Sequence, residues 1–277
     1  MKCAWKEFLS ILPARIRPEV DRLGREDLLE LRLRMGQPVR LVCLKRHIEL
    51  SAIANGDDLN YVINAASHYS PWAATSVAQG YLTAQGGHRI GIAGEAVVKE
   101  GQITGIKNLS SLCIRVARDF PGIASSVGQP AESFLILGPP SSGKTTFLRD
   151  LSRQLAQNQC VCVVDERAEL FPNGSAFALG KQMDVLSRCD KPKGIDMVLR
   201  TLSPAWIAMD EITSEADCKA LILAGWCGVR LIASAHASDT SDLLSRPVYR
   251  PLVQTRLFET AIVLRPDKSW RLERMKL

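Results

Sequence analysis

One stretch of the sequence decides which fold we expect: Ser133-Phe134-Leu135-Ile136-Leu137, followed at once by Gly138-Pro139-Pro140-Ser141-Ser142-Gly143-Lys144-Thr145-Thr146. The second part matches the pattern G-x-x-x-x-G-K-[ST] in full, between an apolar strand-like run and the helical stretch 147–151. Glycine lets backbone N–H groups approach a phosphate, and the N-terminus of a helix adds partial positive charge. We therefore expect residues 138–146 to bind a nucleotide, with Lys144 at its β- and γ-phosphates and Thr145 ligating Mg²⁺.

The chain after residue 132 has the pattern of a parallel α/β sheet. Four more short apolar runs resemble the one before the loop, with helical stretches between several of them: 161–164, 206–209, 231–234 and 261–264. Continuous apolar runs are typical of strands that are buried on both faces, as in a parallel sheet covered by helices.

Two adjacent carboxylates, Asp210 and Glu211, end the apolar run 206–209. An apolar strand with this ending is typical of a Walker B element. We expect Asp210 to hold Mg²⁺ through water and Glu211 to polarise the attacking water as a general base. The extra strand predicted between the loop and this pair, and the Glu beside the Asp, favour a RecA-like P-loop domain over a kinase-type one.

Two further candidate residues, Glu166 and His236, follow neighbouring strands of the expected sheet. Ligands of open α/β sheets bind at the carboxyl ends of the strands. Asp165 and Glu166 are interpreted as acids that orient water or Mg²⁺, with Glu166 preferred; the alternative is a helix cap or a salt bridge to Arg167. His236 is interpreted as a sensor of the γ-phosphate or a link from Glu211 to a neighbouring subunit; the alternative is a structural histidine.

Arginines are candidates for a third role, because phosphoryl transfer often uses an arginine, sometimes from a second subunit, against the developing negative charge. Arg89 stands beside a Gly-Gly turn, and Arg200 lies just before the strand at 206–209. The alternative for each is a surface or structural ion pair.

The first part of the chain mixes helical and strand patterns. Helices are expected at 5–12, 19–30, 57–69 (capped by Asp57 or Asp58) and 72–80. Strands are expected at 31–35, 39–44, 81–85 and 88–94, with a further pair at 95–99 and 112–117. Because 119–131 is rich in turn residues, we expect a smaller α+β domain over 1–125 and a RecA-like P-loop NTPase domain, with a mainly parallel sheet, over 126–277.

Composition excludes several classes of protein. The 277 residues carry 35 Lys+Arg and 29 Asp+Glu, without a basic tail or block, which says little for a nucleic-acid partner. No apolar run approaches the ~20 residues of a membrane span. The eight cysteines form no CxxC pair, which favours free thiols in a reducing compartment over disulfides or zinc. These features predict a cytoplasmic protein without a membrane span of its own.

Together the motifs resemble the stage III sporulation protein AA family, which is related to type II and type IV secretion and pilus ATPases. The resemblance extends over about residues 25–265 and is carried by these segments: 31–38, 86–92, 138–146, 164–167, 199–204, 208–212 and 234–237. It implies an ATP-hydrolysing motor that assembles into a homo-oligomeric, hexameric ring. It also implies docking on membrane-embedded proteins of a channel between mother cell and forespore, at the cytoplasmic face on the mother-cell side. In the related motors N-terminal arginines reach the nucleotide, which favours Arg89.

Two other functions stay open at this point. The same RecA-like motor could translocate nucleic acid, although the chain lacks a basic face interleaved with aromatic residues. The second alternative is a nucleotide-gated scaffold that binds ATP and rarely hydrolyses it, although the intact Glu211 argues against this function.

Overall fold

The computed structural model describes residues 2–67, 77–78, 80–128, 130–172 and 177–275. Backbone packing divides the chain into two compact units. The first contains Met1–Asp119 and Pro172–Ala176, and the second contains Phe120–Phe171 and Phe177–Leu277. The domain boundary expected after residue 125 stays a prediction.

The described part of the first unit is built on a six-stranded antiparallel sheet in the order β3-β2-β1-β6-β5-β4. Its strands are β1 (Leu28–Arg34), β2 (Pro38–Cys43), β3 (His47–Ile53), β4 (Tyr81–Thr83), β5 (Arg89–Lys99) and β6 (Gln102–Arg115). Its helices are α1 (Trp5–Ser10), α2 (Arg17–Gly24) and α3 (Gly56–Ser67). Apolar side chains from the helices and from the sheet form one buried core, which includes Phe8, Leu31, Leu59 and Ile90.

The strands of the first unit differ from the expectation in three details. Residues 28–30 belong to β1 and not to the preceding helix, because Leu28 starts the strand's buried positions. β3 was not expected, since only one of its residues, Leu50, is buried. Residues 95–99 pair with 102–107 instead of 112–117, because β5 and β6 form one long hairpin whose far part is exposed and lacks an apolar alternation.

The cap of α3 also differs from the expectation. Asn55 Oδ1 accepts the N–H of Asp58 at 3.0 Å, and Asp58 Oδ2 accepts the N–H of Asn55 at 2.9 Å. The reciprocal pair makes Asn55 the cap, instead of Asp57 or Asp58. Most of the helix predicted at 72–80, and the last two residues of the one predicted at 57–69, lie outside the described residues.

The described part of the second unit contains a seven-stranded sheet in the order β13-β12-β7-β11-β10-β8-β9. Its strands are β7 (Phe134–Leu137), β8 (Val161–Asp165), β9 (Met183–Ser187), β10 (Trp206–Met209), β11 (Arg230–Ala235), β12 (Thr260–Leu264) and β13 (Trp270–Arg274). Its helices are α4 (Lys144–Leu155), α5 (Lys191–Thr201), α6 (Glu215–Trp226), α7 (Thr240–Ser245) and α8 (Arg250–Gln254). β13 runs antiparallel to β12 and the other pairings are parallel, so the mainly parallel sheet is confirmed.

All five strands expected in the second unit are present, whereas β9 and β13 were not expected. Both lie at the ends of the sheet, and polar residues interrupt both sequences; only Met183 of β9 is buried and no residue of β13 is, so neither has an apolar run. The sheet therefore contains more strands than the sequence pattern indicates, although its central strands are the predicted ones.

The strand register brings several chain segments to one edge of this sheet. Met209 of β10 pairs with Ala233 of β11 and with Val164 of β8, and Ala235 of β11 pairs with Leu137 of β7. Because these strands are parallel, the residues that follow them lie along the same carboxyl edge. The predicted loop and the predicted acidic residues begin there.

The segment that leads into β7 is attached to α4 by a buried carboxylate. Asp150 is 1% exposed and accepts the N–H groups of Gly122 at 3.0 Å and Ala124 at 2.9 Å. Arg153 Nη1 donates to the same carboxylate at 3.0 Å, so the buried charge is paired and hydrogen-bonded.

Among the described residues, no helix combines the length and the apolar character needed to cross a bilayer.

Candidate functional site

The loop between β7 and α4 depends on glycine at both ends. Gly143 has a φ of 101°, in the left-handed region that favours glycine. A Cβ atom at Gly138 would lie 2.5 Å from Ser142 Oγ and 3.0 Å from the Leu264 carbonyl, so a larger residue does not fit. α4 starts directly afterwards at Lys144, and the first N–H groups of a helix have no partner within it. The loop therefore offers backbone donors to an anion.

Lys144 is held inside this loop. Its Nζ donates to the carbonyl oxygens of Gly138 at 2.9 Å and Pro139 at 3.0 Å, and lies 3.1 Å from His236 Nδ1. Burial lowers the pKa of Lys144 below its ordinary value, while Asp210 and Glu211 act in the opposite direction.

The loop residues fit a phosphate chain. The buried hydroxyl of Ser142 has no hydrogen-bond partner among the described residues, so a donor is available in the loop. Thr145 and Thr146 lie half-buried in the first turn of α4, and Pro139 and Pro140 form the more open side of the loop. An anion that enters the loop can bind the buried Lys144 ammonium, whose present partners are neutral carbonyls. It can also accept a hydrogen bond from the Ser142 hydroxyl.

Ser234 fixes both acidic residues of the predicted Walker B element, Asp210 and Glu211. Its hydroxyl, which is fully buried at the end of β11, donates to Asp210 Oδ1 and accepts the N–H of Glu211 at 2.9 Å. The next N–H, that of Ile212, donates to the Ser234 carbonyl at 2.8 Å. Glu211 itself has a φ of 53°, a left-handed conformation that is uncommon for a residue with a side chain.

The carboxylate of Glu211 lies between the side chains of His236 and Arg167. Its Oε1 is 3.3 Å from His236 Nε2, and its Oε2 is 3.5 Å from Arg167 Nη1. His236 therefore has one ring nitrogen next to Glu211 and the other next to Lys144. The structure thus brings Lys144, Asp210, Glu211 and His236 together at the predicted edge of the sheet.

Lys191 belongs to this site and was not expected. It is 5% exposed, and its Nζ donates to the Glu211 carbonyl at 2.7 Å and to Thr213 Oγ1 at 3.2 Å. The same Nζ lies 3.4 Å from Asp217 Oδ2 and 3.6 Å from Glu166 Oε2. Glu166 is thus adjacent to a buried cation.

Asp217 completes the surroundings of Lys191. Its Oδ2 accepts the N–H groups of Thr213 at 2.8 Å and Ser214 at 3.1 Å. Burial acts to raise the pKa of Asp217, but the Thr213 N–H and the Lys191 ammonium lower it below its ordinary value. The chain just after Glu211 is therefore tied to a buried ion pair.

Asp165 stabilises the neighbouring loop. It is 2% exposed and accepts three backbone N–H groups, from Glu169 at 2.8 Å, Leu170 at 2.9 Å and Phe171 at 3.0 Å. Burial raises its pKa to about 6, although the N–H groups of Phe171 and Leu170 act in the opposite direction. Both oxygens are therefore committed to holding the chain after β8.

The two arginines chosen from the sequence each have a local partner. Arg200, on α5, forms an ion pair with Asp196 at 2.9 Å, with 75% of its side chain exposed. Arg89 lies on β5 in the first unit, with its guanidinium 4.6 Å from the centre of the Tyr81 ring. The arginine placed beside Glu211 is Arg167, which the sequence suggested only as a local partner of the adjacent acids.

Nearly the whole chain matches one protein family. The family model described as "Sporulation stage III, protein AA" matches residues 4–271. This chain belongs to that family. The Stage III sporulation protein AA of Bacillus subtilis (strain 168) is 32% identical over 281 residues, covering 95% of this chain and 92% of that protein. The uncharacterized protein ycf45 of Cyanidium caldarium is 33% identical over 180 residues, covering 60% of this chain and 54% of that protein.

Solved structures confirm the fold class of this family member. The pilus retraction motor PilT with bound ADP has a TM-score of 0.63 at 14% identity, over 95% of this chain and 83% of that chain. The Legionella pneumophila ATPase DotB has a TM-score of 0.58 at 16% identity, over 95% and 80%. At these identities the similarity concerns the fold alone, which is the expected RecA-like α/β architecture.

We predict that replacing Asp165 by Asn removes part of the pH dependence of stability. Because the pKa is raised to about 6 in the folded protein from an ordinary 3.8, the folded state holds this proton more tightly than the unfolded state. The stabilisation is complete below about pH 4 and is lost as the pH rises through about 6. Between these values the free energy of unfolding of the wild type should fall by on the order of 3 kcal/mol relative to Asp165→Asn.

Urea denaturation at a series of pH values measures this difference. Asp196→Asn, at an exposed carboxylate of the same unit, should retain the wild-type slope. Parallel curves for the wild type and Asp165→Asn would contradict the assignment.

Proposed function

We propose that this family member is a P-loop ATPase, converting ATP and water to ADP and phosphate with Mg²⁺, and that it drives a membrane-associated secretion or channel assembly. The observation that carries the proposal is the meeting of Lys144, Asp210, Glu211 and His236 at one edge of a RecA-like sheet. Additional support comes from the similar structures, because one is an ATPase and the other is a pilus retraction motor with bound ADP.

Residues 138–146 would hold the phosphates. Lys144 would exchange the carbonyl oxygens of Gly138 and Pro139 for phosphate oxygens, and the first N–H groups of α4 would add donors. Thr145 and Asp210 would hold Mg²⁺, with the Asp210 carboxylate oriented by Ser234. Bound Mg²⁺ supplies charge neutralisation on the β- and γ-phosphates.

Glu211 would act as the general base. Its carboxylate takes a proton from the attacking water, and His236 and Arg167 hold the two carboxylate oxygens in place. Lys144 stabilises the negative charge that develops on the transferred phosphoryl group. Because His236 contacts both Lys144 and Glu211, it would transmit a change in the partners of Lys144 to the general base, Glu211.

The assembly proposed for this site is a homo-oligomeric, hexameric ring with the two predicted domains, 1–125 and 126–277. Arg89 or Arg200 would supply positive charge to a nucleotide from outside the group around Lys144. Family membership supports a place in sporulation. Within sporulation, the place we propose is the mother-cell side of the channel to the forespore. We propose a cytoplasmic position at the membrane, with membrane-embedded channel proteins as partners.

Lys144→Ala tests the site directly. It should reduce ATP hydrolysis by at least about 100-fold, because a positive charge aimed at the transferred group is lost. Phosphate release by purified, folded protein measures this loss. Lys219→Ala, at an exposed lysine on α6, is the matched control and should hydrolyse ATP like the wild type. If a folded Lys144→Ala variant hydrolysed ATP at the wild-type rate, the assignment of this loop as the nucleotide site would be wrong.

Glu211→Gln separates turnover from binding. The amide cannot accept the proton of water, so turnover should fall by about 10²- to 10⁴-fold while ATP affinity stays within a few-fold of the wild type. Phosphate release and binding of a fluorescent ATP analogue give the two values. If the wild type turned over no faster than this variant, the protein would be a nucleotide-gated scaffold.

Lys191→Met should lower kcat with little change in KM. Lys191 fixes the Glu211 carbonyl and the following chain, and hydrogen bonds to a charged group contribute about 1.5–3 kcal/mol, or roughly 10- to 100-fold in rate. Lys191→Arg should restore part of the loss, and Lys193→Met, at an exposed lysine on the same helix, should have no effect. A raised KM with unchanged kcat would instead place Lys191 in nucleotide binding.

A further inference from the structure

A second group of ligand-type side chains lies at the other end of β8, away from the nucleotide site. The sulfur atoms of Cys160 and Cys162 and a carboxylate oxygen of Asp184 all lie within 4.8 Å of one another. From Cys162 to Asp165 the strand rises by about 10 Å, so this group is separate from the Walker elements.

The strand geometry explains why these three side chains meet. Cys160 and Cys162 are two residues apart, so their side chains project to the same face of the sheet. Asp184 of β9 is the register partner of Cys162 of β8, which places its carboxylate beside the two thiols. The cluster therefore bridges the last two strands of the sheet.

The backbone under the cluster is hydrogen-bonded to the neighbouring strands and loop. The Cys160 carbonyl accepts the N–H groups of Ala205 and Trp206, both at 3.0 Å. Cys162 is paired on both sides, with Ile207 of β10 and with Asp184. Cys162 is buried, Cys160 is half-buried and Asp184 is exposed, so an ion can approach from the Asp184 side. Ligands held on paired strands are well suited to a site of defined geometry.

We propose that Cys160, Cys162 and Asp184 bind a thiophilic divalent cation of the Zn²⁺ type, with water as the fourth ligand. Two thiolates and a carboxylate are a donor set that suits Zn²⁺, whereas Mg²⁺ prefers oxygen ligands alone. In a tetrahedral site with Zn–S distances of ~2.3 Å the sulfurs stand about 3.8 Å apart, so the side chains need to move by no more than about 1 Å. Binding releases the two thiol protons to solvent, and the ion joins the edge strand β9 to β8.

Titration of the reduced, metal-free full chain with Co²⁺ alone, without nucleotide, tests this site. One equivalent of Co²⁺ should bind with a thiolate-to-cobalt charge-transfer band, and Zn²⁺ should displace it. Cys160→Ser should lower the affinity by more than about 100-fold, because the loss of even an indirect partner of a metal ligand costs 10- to 100-fold. Asp184→Asn should also weaken binding. Both substitutions are at positions that are not fully buried, so the variants can be checked as folded proteins.

Cys189→Ser is the matched control, because Cys189 is another half-buried thiol of the same unit, and it should bind Co²⁺ like the wild type. Absence of the charge-transfer band in the wild type, or wild-type affinity in Cys160→Ser, would overturn the proposal. Co²⁺ bound only through oxygen ligands, without that band and unaffected by the cysteine substitutions, would also overturn it. None of these results depends on ATP hydrolysis.

Discussion

The contact between the Lys191 ammonium and the Glu211 carbonyl is the interaction on which the site depends. Glu211 has a left-handed φ of 53°, which costs on the order of 1 kcal/mol or more for a residue with a side chain. It keeps this conformation because its two backbone polar groups are fixed from opposite sides: Ser234 accepts its N–H, and Lys191 donates to its carbonyl. The backbone thus sets where the Glu211 side chain starts, and His236 and Arg167 contact its carboxylate.

The two buried lysines of the site have different partners, and the difference supports the separate roles that we propose for them. Lys191 lies among carboxylates, with Asp217 at 3.4 Å and Glu166 at 3.6 Å, and removing a partner from a buried ion pair is costly. Lys144 bonds two neutral carbonyls of its own loop and has a lowered pKa. It can therefore give up these partners for a phosphate, whereas Lys191 is bound to remain where it is. The partners of Lys144 can thus be exchanged for a ligand, whereas the partners of Lys191 are part of the folded structure.

The parts of the structure that the sequence predicted are those determined by neighbours along the chain. The loop 138–146 and the central strands were predictable because glycine spacing and continuous apolar runs are local signals. β9 and β13 lack an apolar run, since each lies at an end of the sheet. Lys191 was not predictable, because a lysine at the start of a helix is usually solvated, and its partners Glu211 and Asp217 reach it only through the fold. For the same reason Arg167 was assigned to the acids beside it instead of Glu211.

The same reasoning explains how a sulfur-rich cluster can exist in a chain without a CxxC pair. Its third side chain, Asp184, comes from the adjacent strand, where the parallel register places it beside Cys162. The two ends of β8 then differ in chemistry: carboxylates lie near Asp165, and thiols lie near Cys160. β8 is paired on both sides along its length, so the edge strand β9 is held to the rest of the sheet through β8. A cation bound among the thiols of the folded protein should therefore stabilise this edge of the sheet by mass action.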